Sequence, residues 1–291
     1  SEFLSIASHQ LRTPLTAMKG LSSMLLEGDY GDISEKPKKA VSQIFESSER
    51  MNKLVNNLLN ISRIESGRLK FNFEEVNFQE LVKGVVEELK IVAEDKGLSI
   101  DLKLPKNEII LKIDKQIIRQ VILNFLDNSI KYTTVYANER RSPSLRDCGR
   151  PETARNLKPH LTSPSKGEET AGSAQAHNCI NVKIEILKGD RLKEILKKTL
   201  RYGNAKIKIK SGDKFVVLSV KDRGRGVSTD EQSRLFEKFI RGNGVSTVYT
   251  EGTGLGLYVC RKMVEAHKGY IWIESAGEGS GSRFSFAVRM G

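Results

Sequence analysis

The first 67 positions carry two narrow, mostly apolar stripes. In one, Leu4, Ser8, Leu11, Leu15, Met18, Ser22 and Leu25 recur at alternating steps of four and three; Ile44, Met51, Leu54, Leu58 and Ile61 make the other. Residues three and four apart share a helical face, so each stripe is the seam of a coiled coil or helical bundle. Gly28-Asp29-Tyr30-Gly31-Asp32 reads as a turn between the helices, and Ser34 as the N-cap of the second. Two helices cannot bury both seams alone. The economical arrangement is a homodimer in which two hairpins make one antiparallel four-helix bundle.

After Gly67 the periodicity changes. Strand-like alternation is read at 69–73, 98–104, 270–274 and 283–288, and a hairpin joins 206–210 to 215–220 through Ser211-Gly212-Asp213-Lys214. Helices are read at 78–95, at 114–131 with Asp114 as N-cap, and at about 255–267, ending before Gly269. This mixture predicts a second domain over 68–291, an α/β sandwich whose mixed sheet is covered by helices on one face. An insert at about 134–204 interrupts it. Within the insert, 138–178 is rich in Pro, Ser, Arg, Gly and Glu and is expected to be disordered. Ile180, Val182, Ile184 and Ile186 alternate as a strand, expected to compete with 206–210 for a sheet edge. A short basic helix from Asp190 carries Leu192, Ile195, Leu196 and Leu200 and stops at Gly203.

Composition excludes several classes. The net charge is +12, but 48 basic residues are interleaved with 36 acidic ones in no long block, so nucleic acid is not the expected partner. No run approaches the roughly 18 apolar residues of a membrane span, and no membrane contact is expected of this segment. The sequence opens at Ser1, inside a helix, and reads as a fragment; any membrane anchor is expected in a part N-terminal to it. Cys148, Cys179 and Cys260 are odd in number with no C-x-x-C pair, and with His160 and His177 they match no common zinc spacing. Free thiols in a reducing cytosol are the expectation.

Four short strings carry chemistry. The first is Ser8-His9-Gln10-Leu11-Arg12-Thr13-Pro14-Leu15. A lone helical histidine is usually a solvated surface residue, but His9 lies about 100° off the seam and five residues before Pro14. The proline removes the helical bond to residue 10 and bends the helix beside a neutral imidazole, a good nucleophile near pH 7. The second string places Asn124, Asn128 and Lys131 on one helical face, with Tyr132 next. Such a strip is most often merely solvated; it can also offer amide oxygen to Mg²⁺ and a cation to phosphate. The third is Asp222-Arg-Gly224-Arg-Gly226, directly after a strand. It is a common turn signal, yet a carboxylate placed there can accept an N–H from a base. The fourth, Gly252-Thr253-Gly254-Leu255-Gly256-Leu257, opens a helix and frees backbone N–H groups for phosphate. A dinucleotide-binding reading fails because Leu257 stands where the third glycine belongs.

In this order the strings resemble the H-box, N-box and two glycine boxes of sensor histidine kinases, with Phe236-Glu-Lys-Phe239 resembling their F-box. The resemblance covers 1–133 and 205–291. It implies a dimerisation and histidine-phosphotransfer hairpin over 1–67, followed by a Bergerat-type domain that binds ATP with Mg²⁺. It implies His9 as phosphoacceptor, a threonine at Thr13 placing water for a phosphatase activity, Asn128 as metal ligand assisted by Asn124, and Lys131 and Tyr132 at the nucleotide. Asp222 would take the adenine amino group, and 240–251 would form a lid. A response regulator receiver domain would accept the phosphoryl group on aspartate. The family usually has an acid after the histidine; here it is Gln10, which cannot take a proton but whose carbonyl can accept the imidazole N–H. Two rival readings stand beside this one: another ATPase of the same fold class, which would lack the His-x-x-x-Thr-Pro string, and a catalytically impaired dimeric scaffold.

Overall fold

A computed structural model describes residues 2–67, 70–141, 179–199, 208–240 and 254–290. Their contacts divide the chain into two compact units, Ser1–Asn72 with Arg234–Met263, and Phe73–Ser233 with Val264–Gly291.

In the first unit, α1 (Glu2–Glu27) and α2 (Glu35–Glu65) form the hairpin. α1 continues through Pro14. Gly28 ends it at φ +90, with the Asp29 N–H bonded to the Met24 carbonyl at 3.0 Å. That bond is the six-to-one closure glycine permits after a helix. Leu15 packs on Val55 and Leu59. Arg12 donates to Asn56 Oδ1 at 2.8 Å, and Lys19 pairs with Glu49 at 2.6 Å. On α2, Val55, Leu59 and the expected Ile61 are buried, while the expected Leu58, Met51 and Ile44 stay exposed. The side chains of Leu4, Ser8 and His9 lie outside the described residues.

The second unit holds all seven strands found among the described residues. The elements are β1 (Glu74–Asn77), α3 (Phe78–Asp95), β2 (Ser99–Lys103), β3 (Ile110–Ile113), α4 (Lys115–Arg141), β4 (Cys179–Lys188) and α5 (Gly189–Thr199). There follow β5 (Lys214–Lys221), α6 (Thr229–Gln232), β6 (Tyr270–Glu274) and β7 (Arg283–Arg289); α7 (Gly256–Ala266), between α6 and β6 in the chain, belongs to the first unit up to Met263 and to the second from Val264. β1 and β3 make a small antiparallel pair. The main sheet runs β2-β4-β5-β7-β6, parallel at β2/β4 and antiparallel elsewhere, the mixed sheet expected. Asn77 caps α3 by accepting from the Gln79 and Glu80 N–H groups at 3.1 Å, and Gly97 ends it at φ +69.

Several expectations need correction. Residues 70–73 are not a strand; the pairing begins at Glu74, where Val76 alternates inward opposite Leu111. The β3 strand was not anticipated, although Leu111 and Ile113 alternate with Lys112. Most consequential is β4, read as part of an insert: it is an interior strand between β2 and β5, and it is β5's antiparallel partner over Asn181–Lys188. Residues 208–210 form no strand, and 206–207 lie outside the described residues. β4 wins because it offers eight alternating pairs to β5, with Val182 and Ile184 buried opposite Val220 and Leu218. α4 also runs on to Arg141, since no Gly or Pro stops it before Pro143, so 138–141 are helical rather than disordered as expected; the rest of that stretch, 142–178, falls outside the described residues.

The faces of the sheet follow from alternation. Phe284 and Phe286 meet Phe125 of α4, and Phe286 also meets Phe78 of α3. Ala287 points the other way, into a cluster with Phe215, Val217 and Trp272 closed by Leu192 and Leu196 of α5. Helices α3 and α4 thus cover one face as expected, and α5 adds cover on the opposite one.

Candidate nucleotide and phosphotransfer site

The second unit assembles the N-box and the first glycine box around one carboxylate. β5 is buried along Phe215–Val220 and delivers Asp222 to its end at 2% exposure. Asp222 Oδ1 accepts from the Gly224 N–H at 2.9 Å and the Ser282 N–H at 3.1 Å. Ser129 of α4 reaches Oδ2 at 3.4 Å. Burial dominates these bonds and pushes the carboxyl up to about 6. On α4, half-buried Asn128 donates its Nδ2 to Asn124 Oδ1 at 2.9 Å, so the two amides share a face as the spacing predicted. Lys131 and Tyr132 follow, half-buried, one turn on.

Glycine is required where the loops cross. A Cβ on Gly224 would lie 2.9 Å from the Tyr132 carbonyl carbon, and one on Gly226, at φ +76, 2.1 Å from the Gly277 oxygen. Gly281, at φ +70, would meet the Asp222 oxygen at 2.2 Å. The loop 277–281 backs the Asp222 turn, with Gly281 N–H bonded to the Gly224 carbonyl at 3.1 Å. Sequence reasoning missed this loop and Ser282. Its signal was Gly277-Glu-Gly279-Ser-Gly281 between two strands, legible as a turn but not as a partner of residues 222–226.

The first unit brings the F-box to the second glycine box. Phe236 is buried; Phe239 is exposed at φ +62, an unusual backbone for an aromatic residue. Its N–H donates to the Gly254 carbonyl at 3.0 Å, and Gly254 itself sits at φ +66 against the Phe239 backbone. Leu255 is buried, while Gly256 and Leu257 are half-buried at the start of α7. Gly252, Thr253 and residues 241–251 of the expected lid lie outside the described residues. In the hairpin, Gln10 and Thr13 are exposed on α1. Cys260 is a free thiol that burial pushes up to about 12, which leaves it unreactive; Cys148 lies outside the described residues.

Comparison with known proteins identifies both parts. Residues 1–67 match the His Kinase A (phospho-acceptor) domain, and residues 190–291 match the histidine kinase-, DNA gyrase B- and HSP90-like ATPase domain. The chain belongs to the sensor histidine kinases. Among curated relatives of this histidine kinase core is the non-motile and phage-resistance protein of Caulobacter vibrioides, 27% identical over 99% of the chain. The circadian input-output histidine kinase CikA of Synechococcus elongatus is 27% identical over 98%. The chain spans only 27% and 29% of the lengths of these two proteins. Its fold resembles that of full-length ShkA in complex with AMPPNP, at TM-score 0.61 and 21% identity, over 99% of this chain and 45% of that one. It also resembles the Acinetobacter baumannii histidine kinase AdeS, at TM-score 0.52 and 20% identity, over 97% and 98%. The ATPase match begins at 190, so α5 after Gly189 lies inside it. No helix among the described residues is long and apolar enough to cross a membrane.

Proposed function

We propose that this kinase core binds ATP with Mg²⁺ in its ATPase domain and transfers the γ-phosphoryl group to His9. The phosphohistidine then phosphorylates an aspartate of a response regulator receiver domain. The observation that carries the reading is Asp222, a buried carboxylate held at a strand end by two backbone N–H groups. That geometry leaves it an acceptor for an exocyclic amine such as adenine's.

The amide pair suits a hard cation. Asn128 spends its N–H on Asn124, which leaves its own carbonyl oxygen as the donor to metal. Bound Mg²⁺ would neutralise charge on the transferring phosphates. Lys131 would add a cation from the same helix, Tyr132 would contact phosphate or sugar, and the second glycine box at Gly252, Thr253, Gly254, Leu255, Gly256 and Leu257 would supply backbone N–H groups at a helix start. Phe236 and Phe239 would fix the base of the lid. In the hairpin the His9 imidazole attacks phosphorus and ADP leaves; Gln10 can hold the ring tautomer by accepting its other N–H. Thr13, exposed on the same helix, would place water for dephosphorylation. The exposed apolar strip of Leu11, Met18, Ile44, Met51 and Leu58 supports dimerisation through the hairpin.

The test is incubation of the chain with γ-labelled ATP and Mg²⁺, followed by acid and alkali. Label stable in alkali and lost in acid, and absent from His9→Ala although that variant still binds nucleotide, is the expected result. Labelling that survives His9→Ala would overturn the assignment. Gln10 favours one alternative, a dimeric scaffold; nucleotide binding with no label in the unaltered chain would decide for it.

A further inference from the structure

One imidazole, away from every motif above, joins three segments of the second unit. His267 follows the last turn of α7, and its backbone is clamped there: its N–H bonds the Val264 carbonyl at 3.1 Å. Lys268 stands at φ +56, and the Gly269 N–H returns to the Val264 carbonyl at 2.9 Å. The ring is 6% exposed. Its Nε2 accepts the backbone N–H of Asp114 at 3.1 Å, across 153 residues of sequence, so the ring proton sits on Nδ1. Asp114 is the N-cap of α4: its Oδ1 accepts from the Ile117 N–H at 3.1 Å and its carbonyl from the Ile118 N–H at 3.0 Å. On the other side the Phe73 ring stands 5.1 Å from the imidazole, tilted 60°. Phe73 lies in the stretch that enters the domain just before β1.

We propose that His267 is a positioning residue for the nucleotide site, fixing the axial register of α4 and tying it to the chain that enters the domain. A buried histidine is often simple filling, and a leucine would fill this volume. What leucine lacks is an acceptor for the backbone N–H of Asp114 at the α4 cap. A helix is stiff along its axis, and Asn128 lies 13 residues beyond Lys115, about 20 Å along α4. A slip of the first turn therefore displaces Asn124, Asn128 and Lys131 together. The inference rests on the nucleotide reading of α4.

Two measurements separate the inference from that reading. The first is binding of AMP-PNP with Mg²⁺ to the whole chain and to His267→Leu and His267→Gln. The glutamine Oε1 can replace Nε2 as acceptor; leucine cannot. The expected result is a five- to tenfold weaker Kd in His267→Leu, restored to within twofold in His267→Gln. Equal affinities across the three, or equal losses in both variants, would overturn the proposal. The second is amide hydrogen exchange of the peptide spanning the first turn of α4, which reports on the contact without nucleotide. Faster exchange there in His267→Leu but not in His267→Gln is expected, and unchanged exchange would overturn the proposal. If the unaltered chain binds no nucleotide, the functional reading fails, and exchange still judges the contact. Should His267→Leu not fold, Phe73→Ala takes its place: it is expected to speed exchange in the same peptide, and protection equal to the unaltered chain overturns the link to Phe73.

Discussion

Asp222 is maintained against the preference of its own surroundings. Burial pushes its carboxyl up from 3.8 to about 6, outweighing the hydrogen bonds from Gly224, Ser282 and Ser129. The folded state therefore binds the proton more tightly than the unfolded one. Asp222 contributes stability below pH 3.8 that is lost as pH rises through about 6. That difference corresponds to about 3 kcal/mol at neutral pH. Asp222→Asn should keep both backbone bonds on its Oδ1 and remove the buried charge. We expect it to raise the unfolding free energy by about 1 to 3 kcal/mol in urea at pH 7, and to abolish AMP-PNP binding. Lower stability in this variant would show that the charge is better solvated than its burial implies. In the unaltered chain nucleotide affinity should fall as pH drops below about 6, measured by calorimetry, as the acceptor becomes protonated. Gly281→Ala makes the complementary case. Its Cβ would sit against the backbone carbonyl oxygen of Asp222 at a backbone angle that favours glycine, so a loss of about 2 kcal/mol or more is expected, together with nucleotide binding.

At the scale of elements, α5 is where sequence and structure part. Read locally, 189–199 is a short basic amphipathic helix in an insert with no function. In the fold Leu192 and Leu196 are fully buried against Phe215, Val217 and Trp272, closing a face of the sheet. Leu196→Ala should therefore cost about 2 to 4 kcal/mol, read by urea unfolding with Trp272, the only tryptophan, as the fluorescent probe. A cost under about 0.5 kcal/mol would mean that α5 is an appendage. The reason the sequence did not show this is that strand partners are chosen by competition. Two segments, 180–186 and 206–210, both alternate, and only the assembled sheet decides which one pairs with β5. Helix ends were more legible: Gly28 and Gly269 stop helices and Asp114 caps α4 as read, although Ser34, at the start of α2, makes no side-chain capping bond.

At the scale of the whole molecule, the hairpin carries more apolar surface than one chain can cover. Leu11 and Leu21 are 51% and 54% exposed, while Leu15, Val55 and Leu59 are buried within the chain. If the exposed strip is the dimer seam, Met51→Glu with Leu58→Glu should yield monomers in sedimentation equilibrium. Nucleotide affinity of the ATPase domain should stay within about twofold, because α2 supplies none of the proposed binding residues. A dimer that persists would place the interface elsewhere.

What the amino-acid order determined by itself was whatever depends on neighbours along the chain. The heptad stripes, the caps and glycine stops, the shared face of Asn124 and Asn128, and the strings that mark the family are all settled within one or two helical turns or a single loop. Tertiary structure alone decided the rest: β4 at the interior of the sheet, α5 on its second face, the 277–281 loop behind Asp222, and His267 at the cap of α4. Each of these joins residues tens to more than a hundred positions apart. Such contacts are selected by which pairings bury the most apolar surface and leave the fewest backbone groups unpaired, a comparison that no local window contains.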